Sequence, residues 1–548
     1  MSHQSGQQGT SVTESTADHK RCVVVPVFRH YGTTYASVAI AIVKKDQISQ
    51  SSWRYDVLAF PFGGPIMSPE KLRMNDLVVI LPGITGSVLT RNGTPIWAPA
   101  PTTLLNWVRS HGHSLRWLRI EREDDPDYDD GVEATALVPY TFAPGLYRFD
   151  GYTGMTRHLS GHFQLVMGNA RITDGPPANY FEFPYDWRKD NAIAAGQLKQ
   201  LIDRELPRWR HYVDDPDACV IFIAHSMGGL VARYYIEVLK GYPLTRALIT
   251  FGTPHRGSPQ AFDYLVNGYR KLGVELRELT AILQSLPSVY QLLPRYRAVL
   301  DVDGVWKRVF ETTHDIKEID RARAKKAYVL YDAIEAAHAV NRKDNRYAVE
   351  MLPVVGWGHD TKQSLRIHRG GRLEVGDDRP PDVDPVFANG DGTVPRVSAV
   401  PLELNAKPLR WWMINQKHAM MQNGQEMLAN LAQVVGALQG DLRQPARALG
   451  SSPTNGFGLD IDDVFEAGEP VTIRVTLHGT EDPNEITARI EPAHITDGSA
   501  RDVVLVPTGF VWSGEVTGLP AGRYRVSIQS KNAAAGPTDL VADVFEVM

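Results

Sequence analysis

Three residue types in this chain could together cleave an ester: Ser226, Asp391 and His418, in that order. A serine hydroxyl is a weak nucleophile at neutral pH. A histidine that takes its proton makes it reactive, and a carboxylate holds the imidazole in the useful tautomer. Ser226 lies in Ala224-His225-Ser226-Met227-Gly228-Gly229, after the apolar run Val220 to Ala224 and before the helical spacing Leu230, Val231, Tyr234, Tyr235 and Val238. A serine on a sharp strand-to-helix turn is a nucleophile elbow, which exposes the hydroxyl and frees the next N–H, that of Met227, to bind an oxyanion. Ala224 stands where the usual pattern has its first glycine, and it is small enough to keep the close approach.

The base and its orienting acid come later in the chain. Asp391 sits between glycines in Asn389-Gly390-Asp391-Gly392-Thr393, and His418 follows the apolar segment 410–414. Ser, then Asp, then His is the order used by α/β-hydrolases. His225 and His255 are rival bases, but they sit on elements that do not face the hydroxyl. Asp382 and Asp384 rival Asp391 from a Pro/Asp-rich loop without its glycine setting. A second oxyanion N–H is expected from Pro82-Gly83-Ile84-Thr85-Gly86-Ser87, supplied by Ile84 or Thr85, with Thr85 favoured.

The elements that must position these residues alternate in type. Short apolar runs at 77–81, 181–183, 220–224, 247–251 and 351–355 read as buried strands, separated by helical patterns, so the sheet is mostly parallel. Asp186 and Arg188, after the strand at 181–183, read as a structural ion pair bracing a loop. Residues 259–345 read as a helical excursion that covers the site as a lid. The stripe Met427, Leu428, Leu431, Val434, Val435 and Leu438 closes the domain with a helix. The expected organisation is a polar, disordered tail over 1–20 and a small β-rich module over 21–75. An α/β-hydrolase domain over 76–442 follows, then a linker over 443–458 and an all-β, immunoglobulin-like sandwich over 459–548, where alternation such as Val471, Ile473, Val475 marks strands.

Composition narrows the functional classes. At 548 residues, 43% apolar and 22% charged, this is an ordinary globular chain with room for several domains. A net charge of −5 without a basic footprint argues against nucleic-acid partners. Cys22 and Cys219 are the only cysteines, so no disulfide framework exists, and a cytoplasmic location is expected. No apolar run spans a bilayer, so any membrane contact is peripheral. The Trp- and Leu-rich insertion over 96–120 suits either a segment packed on the core or a patch resting on lipid, and both readings stand at this point. No metal or cofactor is called for.

The set PGITGS, FPYDWR, AHSMGG, FGTPHRGSP, SLPSVYQLLP and GDGTVP, followed by the late histidine, resembles the lecithin:cholesterol acyltransferase-like family of α/β-hydrolases over roughly 77–438. The resemblance implies Ser226 as nucleophile, Asp391 as orienting acid and His418 as base. It also implies Met227 and Thr85 as oxyanion donors, and Trp97, with Ile84, near the acyl site. The disulfides of secreted members have no counterpart. The expected function is a serine-dependent hydrolase or acyltransferase (phospholipase A- or lipase-like) acting on a lipid acyl ester through an acyl-enzyme. The alternatives are a regulated effector or interaction protein whose flanking modules, the N-terminal one and the sandwich, recognise a partner, and a carboxylesterase of non-lipid substrates.

Overall fold

The computed structural model describes residues 22–31, 34–49, 52–61, 71–98, 113–120, 129–138, 141–143, 147–149, 151–268, 270–271, 274–275, 277–407, 410–439, 456–478, 485–493, 500–508, 511–530 and 541–548. Two compact units divide the chain, Met1–Lys71 and Leu72–Met548. In the first, Cys22–Tyr31, Thr34–Ser49 and Ser52–Pro61 form a three-stranded antiparallel sheet in chain order. The second unit starts before residue 76. Strand Leu72–Arg73 pairs with Phe163–Gln164, which ties 72–75 to the following unit rather than to the N-terminal module.

The second unit is organised by a seven-stranded sheet. Its strands are β1 (Leu77–Leu81), β2 (Met167–Asn169), β3 (Tyr180–Glu182), β4 (Val220–His225), β5 (Thr245–Phe251), β6 (Glu350–Gly356) and β7 (Trp412–Ile414). They lie in the order β2-β3-β1-β4-β5-β6-β7, with every pairing parallel. The central strands read as continuous apolar runs because both faces are covered. Their alternation splits them between two cores. Leu77, Val79 and Leu81 enter one core with Phe222 and Leu248, whereas Val78 and Ile80 enter the other with Ile221, Ile223 and Ile249.

Helices cover both faces. On the first lie α1 (Asn191–Val213) and α2 (Gly228–Glu237), which bury Leu198, Leu201 and Ile202, and Leu230 and Val231. The Asp190 carboxylate caps α1 by accepting the Ala192 N–H at 2.8 Å. On the second face lies the closing helix over 425–439, with Leu431, Val434 and Val435 inward. The chain leaves β1 on one side towards β3 and on the other towards β4. The carboxyl ends of these strands therefore flank a topological switch point, the place where open α/β sheets bind ligands. Asp76, just before β1, is fully buried and paired with Arg246 at the start of β5.

Much of the stretch 259–345, read as a helical lid, packs into the main core, while Gln260, Asp263 and Tyr264 line a cavity that also reaches Asp391 and His418. Leu286, Val289, Leu293, Ala324, Leu330 and Ile334 all enter the main core. The long helix Arg321–Asn341 packs beside α2, where the Asn341 amide donates to the Glu237 carbonyl at 2.9 Å and His338 pairs with the Glu237 carboxylate at 2.8 Å. The segment also contributes strands Val299–Leu300 and Trp306–Lys307 to a small sheet with Ser364–Ile367 and Leu373–Gly376. An amphipathic stripe announces that a face will be buried, not which surface buries it.

Beyond 455 two sheets enclose one apolar core. One contains Gly456–Ile461, Val471–His478, Val506–Thr508 and Val511–Val516. The other contains Val464–Phe465, Ile486–Pro492, Arg501–Val504, Gly522–Ser530 and Ala542–Val547. Pairing is antiparallel except between Val464–Phe465 and the last strand. The first strand begins at Gly456, inside the stretch read as linker, because glycine-rich sequence looks like a spacer even when it is paired.

Candidate active site

The elbow is visible in the backbone. Ser226 follows β4 directly and has φ of 50°, a left-handed conformation that costs a non-glycine residue about 1–3 kcal/mol unless the surroundings impose it. Here they do. The Ser226 N–H donates to the Phe251 carbonyl at 2.8 Å, extending the β4–β5 ladder by one bond. The glycines behind it have no room for a side chain. A Cβ on Gly228 would lie 2.4 Å from the Pro82 carbonyl oxygen, and one on Gly229 would lie 2.1 Å from Thr253 Oγ1. Close packing of α2 against the β1 loop thus turns the chain sharply enough to present the hydroxyl.

Asp391 and His418 meet Ser226 from the segments that follow β6 and β7. The imidazole Nε2 is 2.9 Å from Ser226 Oγ, and Nδ1 is 2.7 Å from Asp391 Oδ2. The carboxylate accepts, so Nδ1 carries a proton and the Nε2 lone pair faces the serine hydroxyl. Asp391 is held in turn: its other oxygen accepts the N–H groups of Thr393 at 2.9 Å and Val394 at 2.7 Å. Its backbone carbonyl accepts the His418 N–H at 2.9 Å. All three side chains are buried.

The rival residues take other places. His225 lies beneath the triad, its Nε2 donating to the His418 carbonyl at 3.0 Å and its ring 4.9 Å from the His418 ring. Burial, and then the charge of His418, push its pKa well down, so it stays neutral. His255 is buried beside Thr250 and held neutral by burial and by Arg233 and Arg256. Asp382 and Asp384 are exposed, Asp382 facing Arg297 at 3.8 Å and Asp384 capping a short turn through Val386.

The glycine-rich loop after β1 packs onto the elbow. A Cβ on Gly83 would sit 2.9 Å from Ser226 Cβ. The loop turns through Gly83–Gly86, closed by the Gly86 N–H to the Gly83 carbonyl at 3.1 Å, with Thr85 at φ of 63°. That conformation is rare for a β-branched residue. The Trp97 indole donates to the Thr85 carbonyl at 2.9 Å and so braces it. Trp97 itself is 2% exposed and packs edge-on against Trp187, so it supports the loop from behind rather than opening onto a cavity. Ile84 is half-buried against the main core. Neither the Thr85 nor the Met227 N–H meets a protein acceptor among the described residues.

Of the Trp- and Leu-rich insertion, Leu115 and Leu118 are core residues, while Trp117 is exposed beneath the Arg91 guanidinium, 3.9 Å from its ring centre. Residues 99–112, with Leu104, Leu105 and Trp107, lie outside the described residues. Asp186 pairs with the buried Arg188 at 2.7 Å, and Asp130 joins it at 2.8 Å, the structural brace its setting suggests. Among the described residues no cluster of three or more His, Cys, Asp or Glu side chains could hold a metal ion, and no helix is long and apolar enough to cross a membrane. Cys219 is a free thiol.

Three further residues belong to the site. Tyr152 accepts the Gly83 N–H at 2.9 Å, and no motif marks it. Gly252, at φ of 55°, faces the His–Asp pair, since a Cβ there would lie 2.7 Å from His418 Nδ1 and 2.8 Å from Asp391 Oδ2. Gly356 does the same behind Asp391, with 2.4 Å to its Cβ. Both glycines sit at the carboxyl ends of strands, where a glycine signals close approach.

The family model described as Lecithin:cholesterol acyltransferase matches residues 172–352, a stretch that holds β3 to β6 and the elbow, with Asp391 and His418 beyond it. No curated protein matches the sequence. Among solved structures, the Bacillus licheniformis lipase BlEst2 in its propeptide form is 11% identical, covering 87% of this chain and 94% of that one with a TM-score of 0.31. The mature form of the same lipase is 14% identical over 53% of this chain and 68% of its own, with a TM-score of 0.23. The CARDB domain of the PF1109 protein from Pyrococcus furiosus is 14% identical, covering 18% of this chain and 89% of that one, with a TM-score of 0.13. Scores of this size leave the fold to be read from the sheet order itself. Over residues 172–352, the chain is similar to the lecithin:cholesterol acyltransferase family.

Proposed function

We propose that this protein is a serine-dependent enzyme that transfers the acyl group of a lipid ester to water or to an alcohol through an acyl-enzyme. The observation that carries the reading is the unbroken relay from Ser226 Oγ to His418 Nε2 at 2.9 Å and from His418 Nδ1 to Asp391 at 2.7 Å. The family match over 172–352 supports the lipid class of substrate.

In this mechanism the Ser226 oxygen attacks the ester carbonyl while its proton moves to His418 Nε2. The carbonyl π-electrons collect on oxygen, which the N–H groups of Met227 and Thr85 stabilise. Asp391 holds the imidazole in place and stabilises the imidazolium. Collapse of the tetrahedral adduct expels the alcohol, which takes the proton back from Nε2 and leaves Ser226 acylated. Water or a second alcohol then repeats the sequence in reverse: His418 removes its proton, it attacks the acyl carbonyl, and Ser226 departs with the proton.

The deciding experiment mixes purified protein, or its Ser226→Ala variant, with phospholipid vesicles, with and without a sterol or long-chain alcohol. Mass spectrometry then follows every acyl chain. Serine-dependent fatty acid supports hydrolysis, and serine-dependent ester of the added alcohol supports transfer. Neither product from wild-type protein would sink the lipid reading.

A further inference from the structure

The segment that carries His418 follows a weak anchor. Strand β7 is three residues long, lies at the sheet edge and pairs on one side only, with β6. A short edge strand holds its neighbours loosely, yet the imidazole must stay within a few tenths of an ångström of both Ser226 and Asp391. The far side of that segment is covered by the C-terminal sandwich.

Each residue of the approach to His418 has a sandwich partner. Asn415 Oδ1 accepts the Phe457 N–H at 2.7 Å, while its amide nitrogen donates to the Trp357 carbonyl at 3.0 Å. Gln416 Oε1 accepts the Ala542 N–H at 3.5 Å. Lys417 Nζ pairs with Asp543 Oδ2 at 2.7 Å, and Asp543 is 1% exposed. Two residues past the histidine, Met420 shares a buried apolar cluster with Ala542 and Val544. The first sandwich strand is shaped for this approach: a Cβ on Gly456 would lie 2.8 Å from Asn415 Cγ, and one on Gly458 would lie 2.6 Å from the Gly358 carbonyl oxygen. Beside these contacts a cavity of about 400 Å³ opens between the domains, lined by Asp391, Lys417 and His418 on one side and Thr476, His478 and Asp543 on the other. The joint is therefore held at discrete points, and the Lys417–Asp543 pair is the charged one among them.

We propose that the sandwich is a buttress for the catalytic histidine, and that Lys417 and Asp543 are positioning residues that hold His418 against Asp391 and Ser226. The proposal rests on the reading of His418 as the general base. The sandwich supplies no reacting group; removing its grip lets the imidazole drift, which lowers turnover without altering how substrate binds.

The test uses the full chain, carrying Asp543→Asn, Lys417→Met or the conservative Lys417→Arg. Five quantities are read: the melting transition, kcat and KM on a soluble p-nitrophenyl ester, the rate at which a fluorophosphonate labels Ser226, and amide hydrogen exchange over 415–423. A misplacement of about 1 Å can cost 100-fold in rate, so Asp543→Asn and Lys417→Met are expected to lower kcat and the labelling rate by roughly 10- to 100-fold. KM should change less than about threefold, because uniform binding is untouched, and Lys417→Arg should stay near wild type. Exchange over 415–423 should quicken about tenfold or more while that of β4 holds. Wild-type kcat in a cooperatively folded Asp543→Asn protein, or unchanged exchange over 415–423, would overturn the buttress. If wild-type protein is not labelled at Ser226, the proposed reaction fails instead, and the exchange experiment alone decides whether the sandwich holds this segment.

Discussion

His225 and His418 are joined by a hydrogen bond from the ring of the first to the main chain of the second, 3.0 Å from His225 Nε2 to the His418 carbonyl oxygen. A carbonyl only accepts, so Nε2 carries the proton and Nδ1 offers its lone pair towards the Tyr152 hydroxyl, 3.4 Å away. Tyr152 in turn accepts the Gly83 N–H. One buried chain of polar groups therefore links the glycine-rich loop, the elbow strand and the histidine segment. Replacing Tyr152 by Phe leaves the Gly83 N–H buried without its acceptor, which should cost about 1–3 kcal/mol. Replacing His225 by Leu should lower kcat roughly tenfold with KM nearly unchanged. Chemical denaturation and steady-state kinetics on a soluble ester check the two effects.

Removing the acid that orients the base is a sharper test. Asp391→Asn keeps the shape but offers an amide where the Nδ1–H needs an acceptor, favouring the wrong tautomer. A loss of about 10⁴ in kcat is expected, as for triads of this kind. Ser226→Ala should abolish fluorophosphonate labelling altogether. Labelling that survives in Ser226→Ala would mean another nucleophile.

Gly252 should tolerate nothing larger. A Cβ there meets His418 Nδ1 at 2.7 Å and Asp391 Oδ2 at 2.8 Å, from a backbone with φ of 55°. Gly252→Ala is expected to push the pair apart and to lower kcat by roughly 100-fold or more. Recovery of a cooperative melt with wild-type kcat would show that the pair has slack the contacts do not suggest.

Thr85 pays for its left-handed backbone. Thr85→Gly keeps the N–H and removes the steric cost. Net stability should therefore change by no more than about 1 kcal/mol, upwards where strain relief exceeds the gain in unfolded-state entropy. Trp97→Phe removes the indole donor to the Thr85 carbonyl and, if the proposed oxyanion role of Thr85 holds, should lower kcat about tenfold by loosening that donor. Urea denaturation and kinetics separate the two.

Buried histidines make the fold sensitive to mild acid. Burial holds His359 down to about 3, with the nearby Lys417 charge adding to it, and lowers His225 and His255 as well. Unfolded, each returns to about 6.5. Below that pH the unfolded chain binds more protons than the folded one, so stability rises with pH and is lost as pH falls through 6.5. Each histidine contributes a slope approaching about 1.4 kcal/mol per pH unit below its unfolded pKa. Between pH 5 and 6.5, above the range of ordinary carboxylates, the melting temperature should drop steadily on acidification. His359→Asn should shallow the slope by one histidine's share, and a flat profile would contradict the assignment.

The local chemistry was legible in the residues themselves. Strands buried on both faces must be apolar throughout, and a serine at φ of 50° needs small neighbours, so β1, β4, β5 and the elbow carry signatures of their own. Asp391 was marked by its glycines and His418 by its position after a strand. Long-range partners leave no such mark. Nothing in Tyr152, Gly252, Lys417 or Asp543 names the group each one meets, because those meetings join residues separated by 69 to 166 positions — Gly83 with Tyr152, Gly252 with His418, Lys417 with Asp543.

Sequence by itself determined the alternation of strands and helices and the small-residue turn that carries Ser226, since each follows from periodicity and local backbone demands. Only the tertiary structure decided that much of the stretch after Pro259 packs into the core, and that the sandwich grips the segment bearing His418. A hydrophobic stripe or a paired charge specifies that a surface will be buried or neutralised. Which surface does so depends on how distant parts of the chain pack, and that packing is a property of the whole fold.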